Sequence, residues 1–109
     1  MHVGKAWPRT GQDTLKITIQ NGDGEIGLKL EGRVAGPWVA ELDRVWVETA
    51  PQLGKKTLSI DLQHVIYADG AGKQVLRDIY AQTHARLIAS SAWAQYLAEE
   101  IMQNQAPGK

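Results

Sequence analysis

Two stretches near the start of the chain alternate apolar and polar residues with a period of two. The apolar positions are Leu15, Ile17 and Ile19 in the first stretch and Ile26, Leu28 and Leu30 in the second. Such alternation is typical of strands that bury one face. Residues 21–24, which read NGDG, lie between them and favour a tight reversal of the chain. The pattern therefore predicts an antiparallel β-hairpin over residues 14–31.

The period changes within residues 58–82, LSIDLQHVIYADGAGKQVLRDIYAQ. Apolar residues alternate with polar ones over residues 58–62, which predicts a strand, whereas those of residues 75–80 recur at helical spacing. Asp69 stands just before Gly70, at the position of a helix N-cap. We predict a strand, a tight turn and a helix here, and we place the functional site at the turn.

The remaining segments add two helices and one strand. Residues 37–50 predict a helix that begins at Pro37, is closed by Pro51 and Gly54, and buries one stripe: Trp38, Leu42, Val45, Trp46 and Thr49. Residues 84–89 predict a short strand, and Ser90 or Ser91 suits the N-cap of a last helix. That helix carries Trp93, Leu97 and Ile101 in one stripe.

The order of these elements predicts a single α/β domain. Consecutive strand-helix-strand units favour parallel pairing with right-handed crossovers, which places their helices on the same face of a sheet. We therefore expect a four-stranded mixed sheet, with an antiparallel first hairpin, then parallel strand-helix-strand units, and helices mainly on one face. The expected boundaries are a loose lead-in at residues 1–13, the domain at residues 14–103 and a polar tail at residues 104–109.

Composition narrows the function classes. The 109 residues include 12 basic and 12 acidic side chains and no run of lysine or arginine, so no electrostatic footprint for nucleic acid is visible. The chain has no cysteine, which excludes disulfides, zinc thiolate sites and thiol catalysis. No apolar run approaches the length of a signal peptide core or a membrane span. We expect a cytoplasmic protein without membrane insertion.

The sequence gives only weak evidence for catalysis or ligand binding by polar residues. A glycine-rich helix start such as residues 70–72 can bind phosphate, but the spacing of a phosphate-binding loop is missing, and a capped turn is the simpler interpretation. His64 and Asp69 flank one loop, yet a solvated histidine is favoured over a dyad. For the other candidate residues a structural role is also favoured over catalysis or metal binding; they are His2, His84, Asp61, Ser59, Ser90 and Ser91. We expect neither a metal nor a cofactor, and no enzymatic activity.

The chain has four tryptophans and no phenylalanine. Trp38, Trp46 and Trp93 fall on helical stripes, so we expect them in or against the core rather than in a ligand cage. Trp7 lies in the polar lead-in, where an aromatic side chain either folds back over the core or waits for a partner.

Residues 58–72 resemble the STAS family of anti-sigma factor antagonists, sulfate transporter tails and partners of lipid-transport ABC systems. The stretch LSIDL at residues 58–62 is similar to the family's central strand, and YADGAG at residues 67–72 occupies the place of its F-x-D-S-S-G turn. Gly32, Arg33 and Val34 resemble the segment before the family's first helix. The likeness covers about Thr14 to Gln103, and the block from strand to helix is its specific part.

The resemblance implies that one regulatory feature of the family is absent. In regulated members the second serine of the turn is phosphorylated by a kinase that is also an anti-sigma factor, and the phosphate abolishes binding. Asp69 and Gly72 keep the family's residues, but Gly70 and Ala71 replace the two serines. Ala71 cannot accept phosphate, so the resemblance implies a constitutive binder.

The resemblance also implies where a protein partner binds. The expected surface is the turn and the exposed side of the following helix, with Arg33 on the neighbouring loop; its residues are Arg33, Asp69, Gly70, Ala71, Gly72, Lys73, Gln74, Arg77 and Asp78. The expected partner is an anti-sigma factor, a kinase-like protein or a transporter subunit. Open alternatives are a small-ligand or nucleotide sensor, an accessory subunit of a lipid-transport ABC system, and weak homodimerisation through the first strand. Whether Thr83, Ser90 or Ser91 is modified also stays open.

Overall fold

A computed structural model describes residues 14–103. Its elements are β1 (Leu15–Asn21), β2 (Glu25–Val34), α1 (Pro37–Leu53), β3 (Thr57–Ala68), α2 (Gly70–Thr83), β4 (Arg86–Ile88) and α3 (Ala92–Gln103). This order of strands and helices is the one that the hydrophobic pattern predicts. The expected lead-in and tail, with His2 and Trp7, lie outside the described residues.

The four strands form one sheet in the order β1-β2-β3-β4. β1 pairs antiparallel with β2, and Ile17 lies opposite Leu30. β2 pairs parallel with β3, and β3 pairs parallel with β4. The mixed four-stranded sheet of the predicted α/β fold is therefore confirmed. Because β2 and β3 run parallel, the loops that follow them leave from the same edge of the sheet.

The core lies between one face of the sheet and the helices. On β2 and β3 the side chains of Leu28 and Ile60 are at most 1% exposed, whereas Lys29 and Asp61, on the opposite face, are half-exposed. Side chains from all three helices cover the buried face; the fully buried ones are Leu42, Leu76, Ile79, Leu97 and Ile101. The alternation read from the sequence thus separates a packed face from a polar face, with the helices mainly on one side.

Two element boundaries differ from those predicted. The first helix does not close at Pro51 but continues through it to Leu53, and Gly54 ends it with a φ of 52°. Leu53 packs against the core, which supports the added turn, and Pro51 removes only one backbone donor close to the helix end. The last strand is limited to Arg86–Ile88, because it pairs only with residues 59–61 of β3.

The three tryptophans of the described chain pack as predicted. Trp46 is 6% exposed, and Trp38 and Trp93 are partly buried against the core. The indole N–H of Trp93 donates a 2.8 Å hydrogen bond to the carbonyl of Val65. This bond lies beyond the end of β4, where β3 has lost its strand partner on that side. Trp93 therefore both fills the core and satisfies an acceptor of β3.

Replacing Trp93 with phenylalanine tests this second role. Phenylalanine keeps an aromatic ring in the same place but cannot donate to Val65, so the free energy of unfolding should fall by about 1 kcal/mol. Urea unfolding at neutral pH gives the value. Ring volume also falls, so Trp38→Phe, at a partly buried tryptophan for which the structure shows no hydrogen bond from the indole, is the matched control. Equal losses in the two variants would show that the hydrogen bond contributes nothing.

Candidate functional site

Asp69 holds the turn between β3 and α2 in place. Its side-chain Oδ1 accepts a 2.7 Å hydrogen bond from the backbone N–H of Gly72, which makes it the N-cap of α2, as predicted. Its Oδ2 accepts a 3.1 Å hydrogen bond from the backbone N–H of Gly36, the N-cap residue of α1. One carboxylate therefore joins the starts of both helices. The second bond links residues 33 positions apart, and no local pattern in the sequence indicates it.

Both hydrogen bonds favour the charged form of this carboxylate. The backbone N–H of Gly72, followed by that of Gly36, lowers the pKa of Asp69 below its ordinary value. A negative charge therefore sits at the start of α2, where it also interacts favourably with the helix dipole. Phosphate at this helix start would meet that charge, and the N–H of Gly72 is already bonded. The geometry thus argues against the phosphate-binding interpretation of the glycines.

The three small residues after Asp69 fall into two environments. Gly70 and Ala71 are exposed, and a Cβ added at Gly70 would meet nothing within 4 Å. Gly72 is buried, and a Cβ there would lie 2.1 Å from the carbonyl oxygen of Val34. Gly72, predicted as a contact residue, is thus packed against β2: the absence of a side chain lets α2 approach the end of that strand. Gly70 and Ala71 form the outer surface of the turn.

The side of α2 predicted to be exposed is only partly so. Gln74 and Asp78 are exposed and joined by a 2.9 Å hydrogen bond, whereas Lys73 and Arg77 are half-buried. The Nζ atom of Lys73 lies 2.6 Å from Oε1 of Glu100 on α3. This pairing raises the pKa of Lys73 and lowers that of Glu100, in each case chiefly through their mutual hydrogen bond. Lys73 therefore faces α3 more than the solvent.

Sequence reasoning missed the contribution of α3 to this region. The expected site included no residue of α3, yet Glu100 pairs with Lys73, and the hydroxyl of Tyr96 donates a 3.1 Å hydrogen bond to Glu100. Tyr96 and Glu100 lie four residues apart on a helix, which places them on one face. That spacing is visible in the sequence, but its meeting with Lys73 depends on the packing of α3 against α2.

The end of β2 lies beside the turn, at the sheet edge where the sequence predicts a loop; Arg33, predicted on that loop, belongs to the strand, because β2 continues to Val34. Arg33 is opposite Tyr67 in the β2–β3 register, and its guanidinium carbon lies 4.6 Å from the centroid of the Tyr67 ring. Gly32 has a φ of 109°, and a Cβ there would lie 2.2 Å from the carbonyl oxygen of Thr14, so only glycine fits. The structure thus brings Arg33 and the Asp69 turn to one edge.

The polar residues considered as candidates for catalysis either form structural hydrogen bonds or are not brought together in the structure. His64 is exposed and lies opposite Glu31 on β2, while both oxygens of Asp69 accept backbone N–H groups, so the dyad is not formed. Ser91 caps α3 by accepting from the N–H of Ala94, and the hydroxyl of Ser90 bonds to Gln63. Within residues 14–103, no group of three or more histidine, aspartate or glutamate side chains is placed to hold a metal ion.

The other polar positions are also explained by the fold. Ser59 is buried inside β3, and Thr83 donates to the carbonyl of Ile79 in the last turn of α2. His84 ends that helix with a φ of 52°. None of the helices in the described part of the chain has the length and apolar character needed to cross a membrane.

Comparison with known proteins identifies the type of fold. No protein-family model matches the chain, and a search of curated proteins found no match. Among solved structures, the chain is similar to the crystal structure of an anti-sigma factor antagonist from Mycobacterium paratuberculosis, with a TM-score of 0.69 and 16% sequence identity. The match covers 84% of this chain and 80% of that chain. This likeness shows that the chain has the same STAS-like α/β fold as that antagonist.

Proposed function

We propose that this chain is a non-catalytic, partner-binding regulatory protein of the anti-sigma factor antagonist type. The observation that carries the proposal is the Asp69 turn, where one carboxylate fixes two helix starts and leaves Gly70 and Ala71 exposed. A fixed and exposed turn suits recognition of another protein, since little conformational entropy is lost on binding. The fold shared with an anti-sigma factor antagonist supports this choice of function.

The proposed binding is constitutive. Ala71, at the position where the family resemblance expects a phosphorylatable serine, has no hydroxyl group. A phosphate there would add nearly two negative charges next to Asp69 and would repel an acidic partner surface. Because Ala71 cannot be modified in this way, no phosphate at this position changes the charge of the turn.

The proposed partner is an anti-sigma factor or a related kinase-like protein in the cytoplasm. The contact surface comprises the turn, Arg33 and the exposed side of α2, on which Gln74 and Asp78 are the exposed polar residues predicted. A transporter subunit would bind through the same surface and is the alternative partner. A nucleotide-sensing role at the start of α2 is disfavoured, because the Asp69 carboxylate already bonds the N–H of Gly72.

The substitution Ala71→Glu tests the site. Glutamate in the first turn of a helix is compatible with the helix dipole, so folding should be preserved. Its bulk and charge on the exposed turn should weaken partner binding by at least about tenfold, as expected at the centre of an interface. The measurement is the dissociation constant for a partner captured with the wild-type chain, identified and purified, determined by titration calorimetry.

Ala81→Glu is the matched control. Ala81 is exposed on the same helix but lies near the opposite end, so the same substitution there should leave the dissociation constant unchanged. Thermal unfolding of both variants checks that each is folded. If the two variants bind as tightly as the wild-type chain, the turn is not the binding site.

A further inference from the structure

We infer that the binding surface extends from the turn onto α3, and that its partner presents an apolar patch with a carboxylate facing Arg33. The surface is an apolar belt on both sides of the Asp69 turn, formed by Ile66, Tyr67, Trp93 and Tyr96. This inference rests on the proposed function, since it concerns the same partner. It adds a second contact region and a definite partner chemistry.

Half of the exposed large apolar side chains in the described part of the chain lie on the two segments that the Trp93–Val65 hydrogen bond joins, the end of β3 and the first turns of α3. Among residues 14–103, six large apolar side chains are exposed, and three of them belong to the belt: Ile66 at 59%, Tyr67 at 41% and Tyr96 at 52%. The other three are dispersed over β1, α1 and the end of α3; they are Ile19, Val47 and Met102. Single exposed apolar residues are ordinary, but a cluster of them marks an interaction surface.

Trp93 connects the two ends of the belt. Its indole N–H bonds to the carbonyl of Val65, the residue directly before Ile66. Its ring centroid lies 6.0 Å from that of Tyr96. Tyr67 lies two residues before Asp69, on the β3 side of the turn. The belt therefore continues from β3, past the turn, to the first turns of α3.

The rings at both ends of the belt are held before any partner arrives. The hydroxyl of Tyr96 bonds to Glu100, and Nζ of Lys73 lies 5.9 Å from the centroid of the Tyr96 ring. On the other side of the turn, the guanidinium of Arg33 lies over Tyr67 at 4.6 Å. Tyrosines held in this way lose little side-chain freedom when a partner covers them. Tyrosine is also among the residues that most often dominate binding energy.

The two cations of the belt region differ in their pairing. Lys73 forms an ion pair with Glu100 at 2.6 Å, so its charge is already neutralised. Arg33 takes part in none of the ion pairs found among the described residues and contacts Tyr67 instead. The region therefore carries an unneutralised positive charge beside Tyr67. The carboxylates of Glu100 and Asp69 already bind Lys73 and the backbone N–H groups of the turn. A carboxylate of the partner, placed opposite Arg33, would therefore complement the positive charge.

Site-specific photo-crosslinking tests the extent of the surface. Benzoylphenylalanine is placed at position 71, 96 or 47 of the full chain, and each purified protein is irradiated in a lysate of its source cells. We expect the protein crosslinked from position 71 to be crosslinked from position 96 also, and not from position 47. Val47 is a suitable control because it is 61% exposed and lies on α1, which carries no residue of the belt.

Substitutions at Tyr96 and Arg33 then test the chemistry with that partner in purified form. Tyr96→Ala should weaken binding about tenfold, whereas Tyr96→Phe, which keeps the ring and loses only the hydroxyl, should bind nearly as well. Arg33→Glu should weaken binding more than Arg33→Gln and should reverse the effect of added salt on the affinity. Thermal unfolding confirms that each variant is folded.

The outcomes separate this inference from the proposed function. A crosslink from position 71 without one from position 96, or full affinity of Tyr96→Ala, would overturn the extension to α3 and leave the turn as the binding site. Equal affinities of Arg33→Glu and Arg33→Gln would overturn the partner carboxylate. Absence of any crosslink from position 71 would overturn the proposed function itself.

Discussion

Replacement of Gly72 by alanine is expected to lower the free energy of unfolding by about 3 kcal/mol or more. The added Cβ would lie 2.1 Å from the carbonyl oxygen of Val34 and 2.9 Å from its side chain. That carbonyl also accepts the backbone N–H of Asp69, so it cannot move away without loss of the bond. The start of α2 must therefore shift outward from the end of β2. Urea unfolding at neutral pH measures the loss.

Gly70→Ala is the matched control for this prediction. Gly70 is two positions earlier in the same helix, and a Cβ there would meet no atom within 4 Å. Because alanine is a better helix former than glycine, this variant should be unchanged or more stable by a few tenths of a kcal/mol. Equal stability of the two variants would show that α2 and β2 accommodate the added methyl group without any loss in the free energy of unfolding.

The sequence alone does not distinguish the roles of Gly70 and Gly72 in this turn. In the chain they stand either side of Ala71 and look equivalent. Only the approach of α2 to Val34 distinguishes them, and that approach depends on the parallel pairing of β2 with β3. A surface expected from the order of residues 69–72 thus has one buried member. The partner would contact Gly70 and Ala71, while Gly72 holds them in place.

The fold itself was open to prediction because its local signals agree. The change of period after β3, the N-cap at Asp69 and the strand-helix alternation all indicate the same α/β arrangement, which the structure confirms. The errors lie where tertiary packing overrides a local signal. Pro51 indicates the end of a helix, yet α1 continues past it because Leu53 still contacts the core.

The candidate site was less predictable than the fold, because its main contacts join distant segments. The sequence indicates that Asp69 caps α2, but the bond from its second oxygen to Gly36 requires the β2–α1 loop to arrive beside the turn. The pairing of Lys73 with Glu100 likewise joins α2 to α3 across 27 residues. These contacts decide which predicted residues face outward, so they change the proposed surface more than any motif does.

The contacts around the turn also bear on how the proposed site would work. Asp69, Gly72 and the Lys73–Glu100 pair fix the backbone, and none of them needs a partner to be satisfied. The exposed residues next to them are small or aromatic: Gly70, Ala71, Tyr67 and Tyr96. A site built in this way is preorganised, and the residue proposed to lie at its centre, Ala71, has no hydroxyl group that could accept a phosphate.

Substitutions of Asp69 should have the second largest effect. Asp69→Ala removes the N-cap bond to Gly72 and the bond to Gly36, and should lower the free energy of unfolding by about 2 kcal/mol at neutral pH. Asp69→Asn keeps one oxygen for Gly72, but its amide N–H₂ would face the N–H of Gly36, so its loss should be about 1 kcal/mol. Asp78→Asn, at an exposed carboxylate of the same helix, should change little.

The pH dependence of these losses identifies the carboxylate as the cause. Hydrogen bonds from Gly72 and Gly36 lower the pKa of Asp69 in the folded protein, so folding favours the ionised form. Its contribution is therefore complete above the unfolded-state pKa of about 4, and disappears as the pH falls through the lower pKa of the folded state. The stability difference between the wild-type chain and Asp69→Asn should accordingly shrink between neutral pH and about pH 3. A difference that stays constant over this range would show that the charge on Asp69 does not stabilise the turn, whereas the same series with Asp78→Asn accounts for the general effect of removing a carboxylate from α2.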